Sequence, residues 1–238
     1  MLIKSYSKIN LTLTVNSKSK NGLHEIQSLY CWINLFDKIE IEKNKDKDKI
    51  SFKGPFSKLV KKKNNSVYNL LKKLRQLKLI SNFYSITITK NIPVFSGLGG
   101  GTGNAAFILK YLLKKKANID LIDKLRSTIG SDLKLFFRKQ GFLKDLDSVI
   151  ELKKNNNFYF VLIQPKIRCS TESIYSKVKK FSKREKFNKD FINSRKLFLS
   201  YLSKSRNDLQ LIVERNYPLL KKLLKDIKNE EGCYFSRM

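Results

Sequence analysis

Five glycines crowd into seven residues of the segment NIPVFSGLGGGTGNAAFILKYLLKKK (91–116): Gly97, Gly99, Gly100, Gly101 and Gly103, out of 10 in a chain of 238 residues. Glycine reaches positive φ and lets backbone N–H groups close on an oxygen with no Cβ in the way. Consecutive N–H groups form an anion nest. The apolar repeat Ala105, Ile108, Leu109, Leu112, Leu113 predicts a helix over 104–116. The open N–H groups at its start add positive partial charge. This pattern suits the cradling of a phosphate chain, with Thr102 placed to offer a hydroxyl to a phosphate or a metal. Two other glycine-loop chemistries fit less well. A P-loop needs a lysine after its last glycine, and none follows here. Gly101 to Ala106 matches G-x-G-x-x-A. However, the preceding strand is expected to end near Lys90, with Pro93 and three glycines in between, which does not suit a tight strand-to-helix turn.

The other reactive side chains are few. His24 is the single histidine and has no partners spaced for a zinc site, so no metal ligands are expected. Cys31, Cys169 and Cys233 are scattered with no C-x-x-C, which suggests neither a disulfide frame nor a metal cluster. The formal net charge is +30. Lysines run from Lys4 to Lys228 with only short clusters, arginine is scarce, and no basic run alternates with aromatics. The charge therefore reads as compositional and no nucleic-acid partner is expected. A positive field still draws in polyanionic small molecules.

The elements that must position the loop follow from periodicity. Ile9, Leu11, Leu13 and Val15 alternate with polar residues as a half-buried strand. Asn21-Gly22 marks a turn, DKIEIE alternates again, and NKDKDK reads as a charged hairpin loop. Val67, Leu70, Leu71, Leu74 and Leu77 have helical spacing, with Asn65 or Ser66 as the cap. YSITITK (84–90) is an alternating strand. A short helix is expected over Ile119–Ile129, ending at Gly130. FYFVLIQP (158–165) reads as a buried strand stopped by Pro165. The remainder, STESIYSKVKKF, NSRKLFLSYL and LQLIVERNYPLLKKLLKDI, reads as helical, with Pro218 in a first turn. The polar run at Lys153–Asn157 marks a boundary between domains 1–153 and 154–238. No apolar run approaches the ~20 residues of a membrane span. The N-terminus lacks a signal-peptide core, so the expected location is cytoplasmic.

PVFSGLGGGTGNAA resembles the second motif of the GHMP family of small-molecule kinases, P-x-x-x-G-L-G-(S/G)-(S/G)-(S/A). SYSKINLTLTV is similar to the opening strand of one branch of that family. NGLHEIQSL resembles its D-G-(Y/F)-H segment, GSDLKLFF its G-A-D-V-P-x-F motif, and SRNDLQ a later Asn-Asp-Leu signature. That branch phosphorylates the 2-hydroxyl of a cytidine-diphosphate-linked methylerythritol in the non-mevalonate isoprenoid pathway. The resemblance implies an α+β, two-lobed GHMP-kinase fold with a ribosomal-protein-S5-domain-2-like first lobe and a ferredoxin-like second lobe. It implies ATP with Mg²⁺, Lys8 and Asp132 as catalytic residues, and an ATP-binding loop of Pro93, Val94, Phe95, Ser96, Gly97, Leu98, Gly99, Gly100, Gly101, Thr102 and Gly103. Asn65 would lie near the adenine, Asn10 would orient the polyol end, and His24 would recognise the base. For both asparagines, turn and cap chemistry is an equal reading. The resemblance leaves a homodimer open.

The chain departs from the pattern in three places. Leu23 stands where the branch has an aromatic, which implies either weaker cytidine affinity or compensation by Tyr30 or Phe136. The glycine-rich segment after the catalytic motif is blurred to FLKDLDSVIELKK. The third family motif would begin where the chain stops, after Met238, so the second lobe is expected to be truncated. The alternatives are another GHMP kinase, acting on mevalonate, homoserine or a sugar; a basic nucleic-acid-binding protein; and a nucleotide binder without catalysis.

Overall fold

The computed structural model describes residues 1–19, 22–61, 63–152, 158–165, 167, 169, 171–188, 190 and 194–238. Its strands are β1 (Leu2–Asn10), β2 (Thr14–Lys18), β3 (His24–Asn44), β4 (Lys49–Lys53), β5 (Phe83–Thr89), β6 (Gln140–Leu143) and β7 (Val149–Glu151). Its helices are α1 (Ser66–Gln76), α2 (Gly100–Leu113), α3 (Ile119–Ile129), α4 (Thr171–Tyr175), α5 (Arg195–Lys204), α6 (Gln210–Asn216) and α7 (Pro218–Lys228). Two compact units form, Met1–Ile9 with Trp32–Lys139, and Asn10–Cys31 with Gln140–Met238. The boundary expected at 153/154 falls on the run 153–157, outside the described residues.

In the first unit β3 pairs antiparallel with β5, Lys38 opposite Thr89 through Asn44 opposite Phe83. β4 then pairs parallel with the far side of β5. NKDKDK is therefore no hairpin, because β5 lies between the two strands it joins. Local sequence suggests a tight turn here. The winning interaction is non-local: β5 presents Ile86 and Ile88, both buried, across from Ile41 and Ile39. α1, α2 and α3 cover this apolar face with Leu70, Leu74, Ile108, Leu109, Leu125 and Ile129 in one core. Phe136 is fully buried in the same core.

α1 forms where the periodicity places it, and Asn65 caps it. The Asn65 carboxamide oxygen accepts from the N–H groups of Val67 (3.1 Å) and Tyr68 (3.0 Å), two of the donors a helix start leaves open. Asn65→Ala is expected to lower unfolding free energy by about 1 kcal/mol, read as a lower midpoint in urea with an unchanged slope. α3 has the same device in Asn118, which accepts from Leu121 N–H at 3.0 Å, and it ends at Gly130 as its spacing predicts.

α2 begins earlier than the apolar repeat alone indicates. Gly99 sits in the left-handed region (φ 70°, ψ 19°) as its N-cap, and the helix runs from Gly100. Gly103 N–H donates to Gly99 C=O at 2.7 Å. Three glycines assigned to a loop thus form the first helical turn.

In the second unit the N-terminal half of β3 pairs with β2 through a bulge between Val15 and Ser17, and with β6, which pairs with β7. The strand expected over Ile9–Val15 is split, since β1 ends at Asn10 and β2 starts at Thr14. Leu13, Val15, Ile174, Leu209 and Val213 are buried together. Ser194 caps α5, and Pro218 opens α7 as expected. Among the described residues of STESIYSKVKKF, the helix covers Thr171–Tyr175 alone. The segment 158–165 is not a buried strand: Tyr159 is 97% and Val161 87% exposed. An apolar run becomes a strand only where another strand completes its ladder, and none among the described residues pairs with it. No described helix is long and apolar enough to cross a membrane.

Candidate active site

The site in the first unit is built on β1, the glycine segment and the turn after α3. β1 carries Lys8, which is 3% exposed. Its backbone N–H donates to Leu98 C=O at 3.1 Å, tying the strand to the glycine segment. Its ammonium lies 3.0 Å from Asp132 Oδ2. Asp132 sits near the start of the 3₁₀ segment Ser131–Phe137, and its side chain keeps 30% exposure. One partner is buried and the other faces solvent, so the carboxylate is held by a cation yet open to a reactant.

Glycine is required at two positions for close approach. A Cβ on Gly99 would stand 2.8 Å from Phe136 Cζ and 3.4 Å from Lys8 Cε. A Cβ on Gly130 would meet Thr102 Oγ1 at 2.6 Å. The first lets the glycine segment settle on the Phe136 ring beside Lys8. The second lets the chain that carries Asp132 lie against the first turn of α2.

A cavity of about 490 Å³ opens on the glycine segment. Pro93 through Thr102 line it, together with Asn65, Ser66 and Asn104. Gly103 does not. It is buried, and its missing Cβ makes room for Phe136, 2.9 Å from where that atom would be. The first N–H groups of α2 have no partner within the helix, so this end of the cavity favours a polyanion. Phe95 has φ 63° and is 75% exposed.

A model of the family described as GHMP kinases N terminal domain matches residues 63–134. A protein of Pelagibacter ubique (strain HTCC1062) named 4-diphosphocytidyl-2-C-methyl-D-erythritol kinase is 39% identical over 243 residues, covering 99% of this chain and 84% of the relative. The chain belongs to the GHMP kinase family. A crystal structure of 4-(cytidine 5'-diphospho)-2C-methyl-D-erythritol kinase superposes with a TM-score of 0.66 at 22% identity, over 96% of this chain and 82% of that one. A homoserine kinase from Cytophaga hutchinsonii gives 0.65 at 16%, over 98% and 80%. The two-lobed α+β architecture of GHMP kinases is thus the fold of this chain. Because both structures fit almost equally, the fold leaves the acceptor open.

Two groups of this GHMP kinase escape a reading of the sequence. The first is the buried pair of Lys90 and Asp37, 3% and 0% exposed. Asp37 Oδ1 accepts from the N–H groups of Asn91 (2.8 Å) and Ile92 (2.9 Å), pinning the entry to the glycine segment. Lys90 Nζ lies 3.3 Å from where a Gly100 Cβ would be. Nothing marks either residue among so many lysines and acids. The second is Tyr175. In the second unit the His24 ring stands 5.1 Å from that of Tyr175, tilted 37°, and 6.5 Å from Phe181. Leu23 is 50% exposed, whereas Tyr30 and Phe136 are fully buried and cannot replace the missing aromatic. Burial, and then Lys18, push the His24 pKa below its usual value, so the ring is neutral at pH 7 and offers one donor and one acceptor. Asn10 Oδ1 accepts from the Ser28 hydroxyl at 3.2 Å. Asn65 combines its cap role with a place on the cavity wall.

Proposed function

We propose that this GHMP kinase transfers the γ-phosphoryl group of ATP to the 2-hydroxyl of 4-diphosphocytidyl-2-C-methyl-D-erythritol. The observation that carries the acceptor is the 39% identity, over 99% of this chain, to the Pelagibacter relative of that name. The chemistry is supported by the Lys8–Asp132 pair beside the glycine segment.

Phosphoryl transfer depends on positioning and charge neutralisation more than on covalent chemistry. Mg²⁺ would enter with ATP as part of the substrate and would offset the charge of its phosphates. The first-turn amides of α2 and the Pro93–Thr102 wall hold the phosphate chain. Asp132 accepts the proton that the acceptor hydroxyl releases as the new O–P bond forms and the bond from the γ-phosphorus to the bridging oxygen breaks, that oxygen leaving on ADP. Lys8 holds that carboxylate in place and offsets negative charge developing on the transferred group. His24 and Tyr175 hold the cytosine, one through hydrogen bonds and the other through its ring face, in place of the aromatic absent at Leu23. Asn10 orients the polyol. We assign the +30 charge to composition rather than to a nucleic-acid partner, and place the enzyme in the cytosol.

The test is an ATP-consumption assay with 4-diphosphocytidyl-2-C-methyl-D-erythritol beside mevalonate and homoserine, with the product identified by phosphorus NMR. Preference for either of the other two acceptors overturns the assignment. His24→Ala is expected to raise the acceptor KM about tenfold, the loss of one or two base contacts, with the ATP KM unchanged. An unaltered acceptor KM would remove His24 from base recognition.

A further inference from the structure

We propose that Lys110 is a positioning residue of the transfer reaction. Its ammonium grips the Phe136 carbonyl and so holds the segment Ser131–Phe137, with Asp132 near one end and the Phe136 ring near the other, against the first turn of α2. The catalytic consequence rests on the kinase reading above, whereas the grip itself does not.

Lys110 projects from α2, and its Nζ donates to Phe136 C=O at 2.7 Å. Three aromatic rings surround that ammonium: Phe107 at 3.9 Å, Trp32 at 4.7 Å and Phe137 at 5.4 Å from centroid to nitrogen. Trp32 makes a matching contact, its Nε1–H donating to Leu135 C=O at 2.9 Å. Two consecutive carbonyls at the end of a helical segment, which have no partner of their own there, are therefore held by side chains from two different elements. The cation also sits at the end of the segment where the backbone dipole favours it.

An ammonium in such a place is costly. Desolvation penalises it, and among the described residues it forms no ion pair with a carboxylate. A methionine of similar length would fill the space without that cost. What the lysine adds is a directional bond inside an aromatic cage that favours the cation. The Phe136 ring supports Gly99 and Gly103, and the other end of the segment is seated on Thr102 through Gly130. A shift of the Phe136 carbonyl thus moves both the floor of the glycine segment and Asp132.

Burial pushes the Lys110 pKa down to about 8. Above that pH the amine is neutral and the grip weakens. The titratable groups on elements packed around it include Tyr6, whose ring lies 6.1 Å from those of Trp32 and Phe107, Cys31, buried next to Trp32 in β3, Tyr111 on α2 itself, Asp132, paired with Lys8, and Lys134, paired with Asp123.

Trp32 is the single tryptophan of the chain, so its fluorescence reports the cation beside it without any assay of turnover. A pH titration of the intact protein is expected to show an inflection near pH 8 that is absent in Lys110→Met. In steady-state kinetics at pH 7, Lys110→Met is expected to lower kcat roughly 10- to 100-fold, as a small displacement of reacting groups does, with both KM values little changed. Lys110→Arg should restore most of the loss. An active wild type with a Lys110→Met variant of near-normal kcat overturns the positioning role while leaving the kinase reading intact. If Lys110→Met does not fold, the wild type decides: a kcat that stays flat while the fluorescence inflects overturns the role. A wild type that binds ATP and phosphorylates no acceptor overturns both readings.

Discussion

Asp132→Asn is expected to lower kcat at least 10²- to 10⁴-fold, the contribution typical of a positioned general base, while ATP still binds. The amide keeps the shape of the carboxylate but accepts no proton at neutral pH. The pair it belongs to makes the effect specific. Lys8 is 3.0 Å away and its side chain only 4% exposed, so it holds in place an acid that remains 30% exposed. The proposed mechanism assigns the nucleotide to other groups, the Pro93–Thr102 wall and the first turn of α2 that line the cavity, so calorimetric ATP affinity should stay within about threefold. The variant also leaves a buried ammonium facing a neutral amide, which costs stability. A melting curve must therefore accompany the kinetics, so that lost turnover is not confused with lost fold. A folded Asp132→Asn enzyme with a kcat within about tenfold of wild type would falsify the assignment of Asp132 as the base.

Gly99→Ala carries the second largest expected effect, and Gly97→Ala is its control. Both glycines have positive φ, 70° and 73°, so alanine costs about 1–2 kcal/mol of backbone energy at either. They differ in what the new methyl meets. At Gly97 nothing lies within 4 Å. At Gly99 the methyl would be 2.8 Å from Cζ and 3.2 Å from Cε2 of Phe136, a ring with no exposed surface to retreat into. Forced repacking adds about 1–3 kcal/mol. The displacement acts on the same ring that supports Gly103 and on the segment bearing Asp132. Gly99→Ala should therefore lower kcat/KM for ATP by about 10²-fold, with a clear drop in melting temperature. Gly97→Ala should lose only the smaller, backbone share. Equal losses in the two variants would show that backbone conformation alone, and not the Phe136 contact, sets the requirement for glycine.

The parts of this protein legible in its sequence are those whose causes lie within a turn or two of the chain. Val67, Leu70, Leu71 and Leu74 repeat at helical spacing, and all four are buried in α1. Asn65 precedes them and caps them. Pro218 opens α7 because its ring fixes φ and it has no N–H to lose. The cluster Gly97–Gly103 announces a close approach of backbone to something. The motif order around it indicates the GHMP kinase fold, and the Pelagibacter relative matches along 99% of the chain. What it approaches was only half visible: a phosphate chain on one side could be argued from anion chemistry, whereas the Phe136 ring on the other side lies far along the chain.

Tertiary structure decided the rest. NKDKDK looks like a hairpin because charge and polarity are local, yet strand order is set by which apolar faces meet, and β5 displaces β4 from β3. FYFVLIQP has the composition of a buried strand but no partner among the described residues, and composition cannot supply one. Composition and periodicity leave Lys8 anonymous among 50 basic residues; the motif resemblance singles it out, and only folding brings Asp132 to its ammonium. Lys90, Lys110 and Tyr175 are equally anonymous until Asp37, the Phe136 carbonyl and His24 are beside them. Backbone propensity acts between near neighbours and leaves its mark in the order of residues. Ion pairs, ring contacts and ladder hydrogen bonds act between groups that only the completed fold makes adjacent.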